Sequence, residues 1–155
     1  MQRRALITLP LLISLPAWSH HGWSSFDQNR PLYLAGQVAR VAWRNPHAEL
    51  QLDLPAEGLK LPLDLASRSL PAQTAPVDGA ALLKAAQLPT RKDKRWEIEL
   101  APLTRMQAWA VPEIKPGEPL AVLGFAFSGE KGEPVLRVEY LFAGGKTYGL
   151  RSAPA

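Results

Sequence analysis

The chain has 155 residues, three histidines, no cysteine, and 18 basic against 14 acidic side chains, for a formal net charge of +4. That length makes one domain able to build an ordinary apolar core. The absence of cysteine excludes a disulfide framework, a thiolate metal centre and a cysteine nucleophile.

The chain opens with a short basic stretch, Met1-Gln2-Arg3-Arg4, followed by an apolar run from Ala5 to Leu15. Ala17-Trp18-Ser19 then places small residues at the −3 and −1 positions of a cleavage site, so residues 1–19 read as a secretory signal peptide. The run is shorter than the roughly 20 apolar residues that span a bilayer, which disfavours a retained transmembrane anchor. The arginine pair lacks the surroundings of a twin-arginine signal. A periplasmic protein beginning at His20 is the expectation. Losing Arg3 and Arg4 with no acid lowers the net charge from +4 to about +2, too little for a nucleic-acid footprint. The one basic run, Arg91-Lys92-Asp93-Lys94-Arg95, is broken by an acid and reads as a solvated turn.

All three histidines fall in two segments, His20-His21-Gly22-Trp23-Ser24-Ser25-Phe26-Asp27 and Trp43-Arg44-Asn45-Pro46-His47. Between them Gln28 to Pro31 is a turn. Leu32, Leu34, Gly36 and Val38 then share one parity, and Val41 and Trp43 the other, which predicts a strand that changes its inward face at a bulge near Gly36. Asn45-Pro46 makes a tight connection. Ala48, Leu50, Leu52 and Leu54 alternate with Glu49, Gln51 and Asp53, a second strand whose parity puts His47 on the polar face beside Glu49.

Leu59, Leu61, Leu63 and Leu65 also alternate with polar residues, an edge strand if one forms, given Pro62. Residues 66–92 read as an insertion, with a helix over 79–88 that Pro89 ends. Trp96, Ile98 and Leu100 mark a third strand. Pro102 starts a helix to about Ala110 that buries Leu103, Met106 and Trp109 or Ala110. Two more strands follow, Leu120 to Phe127 and Leu136 to Phe142, then a short segment Thr147 to Leu150 and a loose tail, 151–155. Five strands with a short helix between the third and fourth predict a mainly β fold, an oligonucleotide/oligosaccharide-binding (OB)-like barrel over residues 20–150; a small β-sandwich is the alternative.

His20-His21 after a signal, Phe26-Asp27, Gly36-x-Val38 and Trp43-x-Asn45-Pro46-His47 resemble a family of small exported bacterial proteins known as domain of unknown function 6152. The resemblance continues through Trp96-Glu97-Ile98-Glu99-Leu100, the helix and Lys115-Pro116-Gly117-Glu118, and departs in residues 55–95, which are longer and richer in proline and leucine. It implies location and architecture and brings no activity.

Chemistry rests on the residues. Cleavage before His20 creates an α-amino group that can close a chelate ring on one metal ion with His20 Nδ1. A third nitrogen from His21 or His47 then completes a planar set suited to Cu(II), with tetrahedral Zn(II) second. His20 with His47 is the easier pair, because adjacent histidines on an extended chain point to opposite faces. Asp27 or Glu49 can add an oxygen ligand. The bland reading stands beside this one: a polar, tag-like start, a His47 that bonds its own turn, Asn45 and Pro46 serving backbone geometry, and Asp27 closing a turn. The alternative function is a non-catalytic binding module for a peptide, glycan or protein partner, with Trp23, Trp43, Tyr33 and Tyr140 as contact residues. No elbow around a serine and no phosphate loop is present, so an enzyme is not expected.

Overall fold

The computed structural model describes residues 22–155. Its strands are β1 (Leu32–Ala42), β2 (Glu49–Asp53), β3 (Arg95–Glu99), β4 (Pro119–Phe125), β5 (Val135–Ala143) and β6 (Lys146–Gly149); its helices are α1 (Gly79–Ala85) and α2 (Leu103–Ala108). β1 lies antiparallel between β2 and β4, β2 pairs with β3, and β4 with β5. A parallel β3–β5 pairing, with Glu99 beside Arg137, closes the cycle. The result is the expected five-stranded barrel with a short helix between β3 and β4, and β6 is an extra strand on the upper half of β5.

Alternation fills the interior. Leu34, Leu50, Leu52, Trp96, Ile98, Val122, Leu136, Val138 and Leu141 are essentially inaccessible to solvent and form one cluster. α2 closes one end of the barrel with Met106 buried, while Leu103 and Trp109 pack against the core. Ala110 is exposed, in a left-handed conformation just past the helix.

The bend in β1 sits later than Gly36. Val38 pairs with Leu52 and Arg40 with Gln51, so Ala39 is the bulged residue and inward parity changes there. Gly36 serves a close approach instead, since a Cβ there would overlap the Asp53 carbonyl oxygen of β2. β5 bulges likewise at Glu139, between Val138 opposite Gly124 and Tyr140 opposite Leu123.

Leu59 to Leu65 does not form a strand. The Pro62 carbonyl accepts the Leu65 amide and starts a single 3₁₀ turn that buries Leu65, leaving Leu61 and Leu63 exposed. The segment from Leu65 to Leu88 lies over the outer face of β1, β4 and β5, where Leu65, Leu70, Val77 and Leu83 meet Tyr33, Leu123 and Tyr140. Asp78 caps α1 through the Ala81 amide. The helix is shorter than its helix-forming composition predicts, because Gln87 exchanges backbone bonds with Pro31 and Tyr33 at the start of β1.

The tail is bonded rather than loose. Ala153 accepts the Thr74 amide, and the Ala155 amide donates to Ala72. Among the described residues no helix is long and apolar enough to cross a membrane.

Candidate functional site

β5 carries a charge where its neighbours are apolar. Arg137 alternates with the inward Leu136 and Val138, so it faces outward from the barrel, yet only 5% of it is accessible. The parallel register sets it beside Glu99 of β3, and its NH1 donates to Glu99 Oε2 at 3.2 Å. Its NH2 lies 3.2 Å from His47 Nε2, and its guanidinium carbon lies 5.0 Å from the centre of the Trp23 ring. Its Nε is buried with no hydrogen-bond partner among the described residues. Burial pushes the Arg137 pKa below the usual arginine value; Glu99 opposes the shift, and the charges of Arg105 and Arg151 add to it.

A second buried pair stands next to the first. Glu139, fully enclosed, accepts from Arg151 Nε and NH2 at 2.8 and 2.7 Å, and from Gln73 at 3.2 Å. Arg151 also donates to Gln28 at 2.8 Å and lies 3.6 Å over the Trp23 ring. Trp23 thus has a guanidinium at 3.6 Å and another at 5.0 Å, with Phe125 at its edge. Arg105 of α2 bonds the Leu150 carbonyl, and Trp109 Nε1 the Ser152 carbonyl, so the tail is fastened to the same corner.

The Trp-Arg-Asn-Pro-His stretch turns toward this corner. Trp43 packs against the core. The Asn45–Pro46 peptide is cis, and Asn45 Oδ1 accepts the Leu103 amide at the first turn of α2. Backbone bonds between Ala48, Leu100 and Ala101 fix the start of β2, which leaves His47 half-buried on the polar side as its parity predicts. Arginine only donates, so the contact with Arg137 requires His47 Nε2 to accept and Nδ1 to carry the ring hydrogen.

Residues 10–61 match the model described as "Family of unknown function (DUF6152)". Over that segment, about a third of the chain, the sequence is similar to this family. No curated protein and no solved structure matches it. The DUF6152 segment runs through β1, the Asn-Pro-His turn and β2, and stops before Glu99, Arg137 and Arg151.

Of the residues singled out from sequence, His20 and His21 lie outside the described residues. Asp27 closes a turn by accepting the Asn29 amide, and its own amide bonds Ala126 at the end of β4. Glu49 sits on β2 opposite Glu99. No group of three His, Asp or Glu side chains among the described residues is arranged to hold a metal ion. Tyr33 and Tyr140, considered as contact residues, are buried under the 65–88 segment, which sequence parity alone does not show. Arg137, Glu99, Arg151 and Glu139 were missed. Glu99, Arg137 and Glu139 occupy the polar positions of alternating strands and Arg151 follows β6, so no local pattern marks any of them as buried.

Proposed function

We propose that the protein is exported, is cleaved after Ser19, and binds one metal ion through the new amino terminus and side chain of His20 together with His47, Cu(II) in preference to Zn(II). The observation that carries this reading is the link from Trp23 to His47 through a single guanidinium, at 5.0 and 3.2 Å. Trp23 follows His21 by two positions and His20 by three. The reading requires the two to three residues between Trp23 and these histidines, at most roughly 7–11 Å of extended chain, to bring them to the Asn-Pro-His turn. His21 is the alternative third nitrogen, and Glu49, on the same strand as the turn, is a better placed oxygen donor than Asp27. An amine and two imidazoles form the nitrogen set that Cu(II) binds most strongly among divalent first-row ions. Intact mass of the exported protein, followed by metal analysis, tests the proposal. A chain starting at His20 with one equivalent of copper supports it, and a chain starting at Gly22 or later removes it.

A second reading, a non-catalytic module for a peptide or protein partner, is favoured by the open groove of about 440 Å³ beside Trp23, lined by Gln28, Val77, Leu82, Phe125 and Arg151. Arg151 would offer a partner carboxylate its charge there. Capture that survives a chelator and the loss of His20 would support this reading over the metal.

A further inference from the structure

We propose that the slot between the 54–59 turn and the 88–94 loop binds an alkyl chain bearing an anionic head, with Lys92 and Lys94 meeting the head. This site is separate from the metal reading and shares no residue with the groove beside Trp23.

The fold divides the basic run Arg91-Lys92-Asp93-Lys94-Arg95. Arg91 donates to Asp93 at 2.6 Å and to the Glu130 and Gly132 carbonyl oxygens at 2.8 and 3.0 Å. Arg95 makes a two-pronged ion pair with Asp53 of β2. Both arginines are thereby committed to holding the fold. Lys92 and Lys94 are exposed, and neither has a carboxylate partner among the described residues.

The two lysines line a slot of about 370 Å³ together with Leu54, Leu59, Leu88 and Pro89. Leu54 and Leu59 pack against the barrel core, and Leu88 against the cluster of Tyr33, Leu123 and Tyr140, so the slot lies where the two cores reach the surface. Asp93 also lines it, but the Arg91 guanidinium neutralises that carboxylate and holds its pKa below the ordinary value. Backbone bonds preform the walls. The Leu54 amide donates to the Lys94 carbonyl at 2.8 Å, and the Gly58 amide closes a turn on the Pro55 carbonyl at 3.1 Å. The Thr90 and Arg91 amides bond the Glu130 carboxylate at 3.0 Å. Lys94 Nζ reaches the Ala56 carbonyl at 3.5 Å, which sets its charge beside the turn and leaves it two further N–H donors.

An apolar wall with two cations at its exposed edge fits one class of ligand best. A neutral hydrocarbon leaves the ammonium groups unused, and a small anion gains only exposed ionic contacts, which are worth little in water. An alkyl chain with an anionic head uses both parts. Its methylenes leave water against the leucines while the head stays at the edge, near the solvent. Carboxylate, sulfate and phosphate heads share this chemistry, whether the molecule is free or part of a bilayer. Leu61 and Leu63 follow Leu59 along the chain and are 40% and 106% exposed, apolar side chains placed for the bilayer case.

The test titrates the purified chain with hexanoate, octanoate, decanoate and dodecanoate below their micelle concentrations, with dodecyltrimethylammonium as the cationic control. The proposal predicts affinity rising about two- to fourfold per added methylene. Dodecanoate should bind at least about tenfold more tightly than the cation, and shift the methyl resonances of Leu54, Leu59 and Leu88. Lys92→Gln/Lys94→Gln, on two exposed side chains, should weaken dodecanoate about three- to tenfold and leave decanol unchanged. Vesicles of phosphatidylcholine alone, and of equal parts phosphatidylcholine and phosphatidylglycerol, separate the two sources. Dodecanoate binding together with capture on the anionic vesicles assigns a bilayer lipid, and dodecanoate binding without capture assigns a free amphiphile. No dodecanoate binding, affinity independent of chain length, equal affinity for the cation, methyl shifts elsewhere, or unaltered affinity in the lysine variant overturns the site.

Discussion

Asn45 Oδ1 accepts the backbone N–H of Leu103 at 3.2 Å, across 58 positions of sequence, so the β1–β2 turn supplies the cap of helix α2. Pro102, at the cap position itself, makes no side-chain bond, and Asn45 satisfies a donor that would otherwise lack a partner. Asn45→Ala should cost about 1 kcal/mol of stability, the usual worth of such a cap. Urea unfolding of the two proteins measures it. A loss below a few tenths would show that the cap contributes nothing.

Gly36 and Gly124 are required by contact between strands. A Cβ at Gly36 would overlap the Asp53 carbonyl oxygen, and one at Gly124 the Arg137 carbonyl oxygen. Backbone cannot swing aside as a long side chain can. Gly36→Ala and Gly124→Ala should each destabilise by about 1–3 kcal/mol or more, the range for overpacked cores. Thermal unfolding tests this, and a midpoint equal to wild type would contradict it.

Arg151 is the sole cation bonded to the buried carboxylate of Glu139 among the described residues. Arg151→Met leaves that carboxylate enclosed without its counter-ion, which costs about 3–5 kcal/mol for a buried pair. Glu139→Gln/Arg151→Met should recover much of the loss, because the stranded charge is gone. A double variant as unstable as the single one would place the cost in packing of the tail instead.

Glu130 brings the acid limb of stability. Burial raises its pKa, but the Thr90 and Arg91 amides, Arg30 and the Thr90 hydroxyl outweigh burial, and the carboxyl is held below its ordinary value. A group with a lowered folded pKa stabilises the fold above its unfolded value and loses that contribution as pH falls through the folded one. Wild type should therefore lose stability below about pH 4.3 more steeply than Glu130→Gln. Parallel slopes in urea midpoints between pH 5 and 3 would contradict this.

What could be read from the sequence follows from what parity encodes. The alternation of Leu50 and Leu52 with Glu49 and Gln51, and of Trp96 and Ile98 with Glu97, located two strands and their inward faces, and the helix before β4 gave the barrel order. Parity does not say what covers an outward face. Arg137 and Glu139 are therefore charged residues on the outside of a barrel and are still buried, under Trp23 and the segment around Gln73. Leu59 to Leu65 shows the converse, an alternation that found no strand to pair with and turned at Pro62. His47 was placed correctly on the polar side, but its guanidinium partner is 90 residues away, a distance that no local pattern spans.

The central claim is that His47 and the processed amino terminus share one metal ion. The most direct measurement is a competition titration of Cu(II) into protein that begins at His20, in wild type and His47→Ala. The claim predicts one equivalent bound by wild type and affinity at least about tenfold weaker in the variant. Equal affinity in the two proteins would contradict it.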